Sequence, residues 1–459
     1  MTQNAINALS HGFMDAGCGY VSNYPGSFSH DMFHAMGGVL PSLNEKIAYE
    51  SAYGASLSGI RSAVFIKNAG FNIAADPFLN SLISGVNAGL VLIVTDDTEM
   101  TGSQTPQDSR SYIDFWGGLW FEPNSMQKAY DIAYDSFAFS EKFDVPIVIR
   151  LTNQFFSLAG EYERKPEQRK KFTMAHDLKK YVIHPTTWKE HKKRLEKKNR
   201  SIRTFVEGLY TQKISRDDRD SEKIIAVGNC QKETLSVLKR IGKKRPVALL
   251  NIFTYPLPLK MIARFIGNSG KVTILEEGSD FVRRQLLPYI SGDVSHDGGR
   301  APNLSHTYLV YGGLEKLFSA LKLVKPDCVI GDVGQYTRET KGVVENCLSY
   351  GSSVAVAMGV NCSSGYYPFC IVGDGAFSHS SILSLREAVF RKANMCVIVI
   401  DNGGMRSTSN EKVPTDIYTL GLPLKADIIE YGKTSTADLV KKLRKIKSKK
   451  ELSLVYVKM

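Results

Sequence analysis

Two oxygen-bearing side chains, Asp374 and Asn402, occupy equivalent ends of the stretch IVGDGAFSHSSILSLREAVFRKANMCVIVIDNGG, which spans positions 371–404. Residues 370–372 and 395–400 read as buried strands and 380–391 as an amphipathic helix, which makes the stretch a βαβ unit. Parallel strands of such a unit end on one edge of the sheet, so Asp374 and Asn402 meet there although 28 positions separate them. One carboxylate, one amide oxygen and a backbone carbonyl make a hard, oxygen-only site. It suits a Mg²⁺ ion that keeps a water and takes its other ligands from a diphosphate. Gly373 and Gly375 let the backbone approach phosphates, and the helix start from Ala376 onward offers free N–H groups. The plainer reading is an ordinary βαβ turn in which Gly-Asp-Gly is only a tight loop.

Three further parts must hold that unit in place. Residues 1–155 alternate strands at 20–22, 63–66, 90–95 and 146–151 with helical stretches, the pattern of a doubly wound α/β domain. A basic helical connector at 156–221 follows, then a strand-and-helix segment at 222–292 with strands at 224–227, 247–250 and 272–275. The last domain, 304–459, contains the βαβ unit and opens on a strand that ends in the glycine-flanked acid of Val329-Ile330-Gly331-Asp332-Val333-Gly334.

Composition narrows the class. The chain has 459 residues, 43% hydrophobic and 23% charged, as an ordinary multidomain globular protein does. It has no apolar run of membrane-spanning length and its first residues lack a secretory pattern, so no membrane is expected. The seven cysteines stand singly, with no C-x-x-C pair, which fits reduced thiols in a cytoplasmic enzyme. The net charge of +12 comes largely from 164–223, where lysines alternate with acidic and polar residues as on a solvated helix. No nucleic-acid module accompanies it, so no nucleic-acid partner is expected.

The Asp374–Asn402 spacing resembles the metal–diphosphate motif of thiamine diphosphate enzymes, with Asn402-Gly403 where that family usually has two asparagines. The resemblance implies thiamine diphosphate and Mg²⁺, held by Asp374, Asn402 and the main-chain oxygen of Gly404. It also requires a glutamate beside the aminopyrimidine ring, nine residues before a glycine of a small-residue helix. Glu45 meets that spacing to Gly54 and is preferred; Glu50 meets it to Gly59 but would lie inside the helix. A third alternative leaves Glu45 as a surface charge at a helix start.

The strings NYPGS at 23–27, NEKIAYESAYGASLSG at 44–59, KNAGFNIAADP at 67–77, TDDTEM at 95–100 and SQTPQDSR at 103–110 narrow the likeness to the α subunit of indolepyruvate ferredoxin oxidoreductase. That likeness implies a pyrimidine-binding domain at 1–155, a transketolase C-terminal-like domain at 222–292 and a diphosphate-binding domain at 304–459. It adds Asp332, Gly334, Tyr336, Ser352, Met358 and Gly373 to Ala376 as cofactor-facing positions and His379 as a substrate-facing one. A homodimer is implied, with Glu45 of one copy completing the Asp374 site of the other.

Two departures bear on the reaction. That α subunit normally continues into a ferredoxin-like domain, whereas here no cysteine follows Cys396, and a cysteine pair is missing before the last domain. The expected activity is therefore non-oxidative decarboxylation of an aryl or branched 2-oxo acid, the carbanion being protonated or joined to a second carbonyl. The alternative is an oxidoreductase α subunit that passes electrons to a separate partner. Arg110, Asn68, Phe28 and Trp116 are candidates for the substrate pocket.

Overall fold

The computed structural model describes residues 3–26, 29–98, 107–183, 187–209, 222–230, 236, 239, 247–267, 272–291, 313–334, 342–404 and 424–459. Its strands are β1 (Gln3–Asn4), β2 (Tyr20–Asn23), β3 (Ser62–Lys67), β4 (Leu90–Asp96), β5 (Leu119–Phe121), β6 (Ile147–Thr152), β7 (Ala159–Gly160), β8 (Glu222–Val227), β9 (Val247–Ile252), β10 (Thr254–Tyr255), β11 (Val272–Leu275), β12 (Val329–Gly331), β13 (Phe369–Gly373), β14 (Cys396–Asp401), β15 (Ala426–Glu430) and β16 (Ser453–Lys458). The helices are α1 (Ala5–Asp15), α2 (Ser29–Ala35), α3 (Glu45–Leu57), α4 (Asn68–Ser84), α5 (Ser111–Trp116), α6 (Met126–Phe143), α7 (Leu178–Tyr181), α8 (Trp188–Leu209), α9 (Leu259–Ile266), α10 (Phe281–Ser291), α11 (Glu315–Val324), α12 (Ser353–Ser364), α13 (Asp374–Ala376), α14 (Ile382–Phe390) and α15 (Thr436–Lys449).

Three α/β layers result. The first sheet has the order β10-β5-β6-β4-β3-β2, the second β11-β8-β9 and the third β12-β13-β14-β16-β15. Every residue of β4, β6 and the β13 core segment 369–372 is buried, because helices cover both faces of these parallel strands. That is why their sequences are continuous apolar runs rather than alternating ones. The edge strand β10 runs antiparallel to β5, so the middle segment extends the first sheet as well as forming its own. Neither β5 nor β10 is apparent in the sequence, since two- and three-residue strands carry no periodicity.

The basic connector behaves as a solvated helix: of the residues in α8 only His191, Ile202 and Val206 are buried. Among the described residues no helix is long and apolar enough to cross a membrane.

One expected element needs correction. The helix after Gly-Asp-Gly starts at Asp374 rather than at Ser380: α13 passes through a looser π-type turn, Phe377–Ser381, into α14. Such turns often mark functional positions. Here it carries His379.

Candidate functional site

Parallel pairing of β12, β13 and β14 brings Asp332, Asp374 and Asn402 to one sheet edge. Asp374 is buried, and its two oxygens accept from Gly375 N at 2.7 Å and Gly404 N at 3.0 Å. Burial pushes its carboxyl above the usual range, while those N–H groups hold it down. The Oδ1 of Asn402 is buried and has no hydrogen-bond partner among the described residues. A buried carboxylate met only by backbone dipoles, beside an orphaned amide oxygen, has the donor chemistry of a hard divalent cation site. Gly404 faces Asp374 through its N–H.

Asp332 has its carboxylate taken up by backbone N–H groups. Its side chain is fully buried and accepts from Val333 N and Gly351 N through Oδ1, and from Ser353 N through Oδ2. It thereby pins the end of β12 to the first turn of α12, and burial pushes its carboxyl up to about 6. The Ser352 hydroxyl is likewise used internally, accepting from Ser349 N and donating to Ser349 O. Met358 has no exposed surface and belongs to the core. Gly334 is described and partly buried, whereas Tyr336 lies outside the described residues.

Helix α3 supplies the other wall. Its N-cap is Asn44, whose side chain accepts from Ile47 N at 2.8 Å. Glu45 opens the helix, although not directly after a strand: α2 intervenes, and Ser42 N then returns to Asn23 O at the end of β2, 2.8 Å away. The Glu45 carboxyl lies over Gly70 of α4, where a Cβ would sit 2.3 Å from Oε1. Burial raises its pKa, countered only by its own backbone N–H. Glu50, by contrast, is completely buried, with Lys46 Nζ at 2.5 Å and Ser349 Oγ at 3.0 Å. Thus, among the described residues, Glu45 meets only its own backbone N–H whereas Glu50 is tied.

The same Lys46 bonds Ser349 Oγ at 3.0 Å, so α3 and the loop before α12 are joined. Below that joint the helices touch backbone to backbone. A Cβ on Gly54 would come within 2.1 Å of Val356 O, and one on Gly359 within 1.9 Å of Ser51 O. The opposite face of α3 meets its own sheet, where Ser22 Oγ donates to Ala48 O and Ser62 Oγ to Ala52 O. The first and last domains therefore touch within this chain.

The His379 ring is exposed, with Nδ1 3.2 Å from Ser380 Oγ. The suggested pocket residues fare less well. Arg110 has no exposed surface and is bound by Asp108, Glu276 and the carbonyls of Glu277 and Ser279. Asn68 bonds Gln107 O and Ala69 N, and Trp116 stacks on Tyr112 at 4.8 Å. Phe28 lies outside the described residues. A cleft of about 1310 Å³ lies beside Trp116, Arg203 and Lys260, and no residue of the Glu45 or Asp374 walls lines it. Residue chemistry, rather than cavity size, marks the site.

Residues 332–457 match the model of the thiamine pyrophosphate enzyme C-terminal TPP binding domain. The chain has the thiamine diphosphate enzyme fold. Among curated relatives it is 26% identical to indolepyruvate oxidoreductase subunit IorA of Methanothermobacter marburgensis, over 90% of this chain and 75% of that one. The IorA subunit of Pyrococcus abyssi is 25% identical over 94% and 79% of the two chains. Among solved structures, the 4-hydroxybenzoylformate decarboxylase of Rhodococcus jostii RHA1 superposes with a TM-score of 0.55 at 13% identity, covering 100% of this chain and 99% of the other. The 2-oxoglutarate:ferredoxin oxidoreductase of Magnetococcus marinus gives a TM-score of 0.52 at 13% identity, covering 63% and 60%.

Sequence reasoning missed the Lys46–Glu50–Ser349 joint. An i, i+4 Lys–Glu pair at the start of the small-residue helix was the available signal for it.

Proposed function

We propose that this protein is a thiamine diphosphate- and Mg²⁺-dependent enzyme that removes carbon dioxide from a 2-oxo acid. The observation that carries the reading is the unclaimed Glu45 carboxyl on a helix joined, through Lys46 and Ser349, to the edge that holds Asp374 and the orphaned Asn402 oxygen. In this reading Asp374, Asn402 and Gly404 hold the cation, and the helix start at Gly373 to Ala376 receives the diphosphate. Asp332 keeps the Gly351–Ser353 backbone in place beside it, with Gly334, Tyr336, Ser352 and Met358 shaping the pocket through backbone and packing. When bound, the thiazolium supplies an electron sink for the pair released as carbon dioxide leaves.

Glu45 holds a proton at the aminopyrimidine. Its partly buried position favours the protonated acid, and no cation competes for it. His379, at the rim, exchanges protons with water and faces the substrate. The reading includes a homodimer in which Glu45 of one copy completes the Asp374 site of the other.

For the fate of the carbanion we favour protonation or carboligation, since the seven cysteines stand singly in the sequence, with no C-x-x-C pair. A second reading, an oxidoreductase α subunit that works with a separate electron-accepting subunit, is favoured by the IorA relatives. One experiment separates them: a panel of aryl and branched 2-oxo acids assayed with and without a dye acceptor, on wild type and Glu45→Gln. Aldehyde or hydroxyketone without the dye supports the first reading, and strict dye dependence supports the second. Turnover by Glu45→Gln equal to wild type removes Glu45 from the mechanism.

A further inference from the structure

The loop Ser349-Tyr350-Gly351 is held at nearly every backbone position. Ser349 N donates to Ser352 Oγ, and Gly351 N donates to Asp332 Oδ1 at 2.7 Å. Gly351 O receives Ser381 Oγ at 2.9 Å and, more distantly, Ser380 Oγ at 3.4 Å. Gly351 itself has φ +78°, and a Cβ there would lie 1.9 Å from Ser380 Oγ, so the chain turns against the His379 segment as only glycine permits. Ser349 is further clamped to Lys46 and Glu50.

The side chain between these anchors is treated differently. Tyr350 is half-buried, its ring stands edge-on to His379 with centroids 5.1 Å apart, and its hydroxyl has no hydrogen-bond partner among the described residues. Burial raises the phenol, and the nearby carboxylates of Asp332 and Asp374 raise it further. The phenol thus stays protonated beside the cation-binding edge, on a backbone that cannot drift. A fixed backbone presenting an unengaged donor is the arrangement a site needs for a group that must meet a ligand.

We propose that Tyr350 is the acid that ends non-oxidative turnover, with His379 as its route to water. This rests on the decarboxylase reading above. The bond between the carboxylate carbon and the carbonyl carbon breaks, and carbon dioxide leaves without the bonding pair. That pair, retained at the former carbonyl carbon, takes the phenol proton. The phenolate regains a proton from water through His379. In sum, one 2-oxo acid anion and one proton give an aldehyde and carbon dioxide, with no oxidant.

The test uses the full chain with thiamine diphosphate and Mg²⁺, benzoylformate and a branched 2-oxo acid as probes, and Tyr350→Phe beside the control Tyr366→Phe. Removing a positioned acid lowers its step by about a hundredfold or more. We expect that loss in aldehyde formation for Tyr350→Phe, with calorimetric affinity for the cofactor within twofold of wild type and dye-dependent oxidation of the same acids retained. An absorbance titration at the phenolate band should also lose one late-titrating tyrosine. Aldehyde formation within threefold of wild type overturns the proposal, as does a parallel fall in cofactor affinity, which would make Tyr350 structural. If wild type forms no aldehyde from either probe, the decarboxylase reading falls first and this proposal with it.

Discussion

The first sheet domain meets its two neighbours through interfaces of opposite character. Against the last domain, α3 lies on α12 through glycines and serines, with the charged joint Lys46–Glu50–Ser349 at one end and Glu387 and Arg391 bonding Leu43 N and Leu40 O. Against the middle sheet the contact is polar. Arg110, paired with Asp108 at 2.5 Å, reaches across to Glu276 at 3.0 Å, and Tyr255 donates to Glu122 Oε2 at 2.8 Å. Behind that contact, buried Arg150 pairs inside the first domain with Asp96 and Glu122, each at 2.6 Å. The comparison teaches that a residue's type does not tell whether it is available. Arg110 is consumed in holding the middle sheet and Arg150 in pairs within its own domain, while the site wall is made of residues small enough to let two backbones touch.

Removing the buried arginine behind the polar interface should cost most. Arg150→Ala leaves Asp96 and Glu122 buried without their cation, a loss on the order of 3–5 kcal/mol for a broken buried pair. Urea unfolding is expected to show it. A loss under about 1 kcal/mol would mean that water reaches this junction.

Next comes the close helix contact. Gly359→Ala must place a methyl 1.9 Å from Ser51 O, and neither backbone can yield, so about 1–3 kcal/mol or more is expected from overpacking. Cofactor affinity should fall with it, because the two walls separate. A variant that keeps wild-type stability and affinity would show that the helices slide freely.

The joint at the end of that contact gives a pH signature. Burial pushes Glu50 up to about 7 from 4.5, so the folded protein retains a proton that the unfolded chain releases between those values. This group therefore favours folding below pH 4.5 and its contribution is lost as pH rises through 7. Relative to Glu50→Gln, wild type is expected to lose at most about 3 kcal/mol across that window. Parallel stability–pH curves for the two proteins would contradict it. The smallest effect belongs to the far end of the contact: Ser58→Ala removes the 2.9 Å bond to Ser363 Oγ and should cost about 1 kcal/mol or less by thermal melting.

Much of the architecture was legible in the chain. Continuous β-branched runs at 63–66, 90–95, 370–372 and 395–400 could only be buried parallel strands, and the Gly-Asp-Gly to Asn402 spacing followed from their pairing. The small-residue face of α3 and the charged solvent face of α8 were equally plain, because periodicity records which side of a helix is covered. The short strands β5 and β10 were not, nor was the π-type turn that starts the Asp374 helix early; both depend on partners distant in sequence.

What the sequence by itself determined was the set of groups and the edge where the strands deliver them. Asp374 and Asn402 reach one edge through the pairing of β13 and β14. Only the tertiary structure decided which of two glutamates stays unclaimed, since that turns on Ser349 arriving from 299 positions away to bind Glu50. It likewise decided that Arg110 is spent and that Asp332 pins a loop. Spacing sets where a side chain starts along the fold, whereas burial and long-range partners set the charge it keeps and what it remains able to bind.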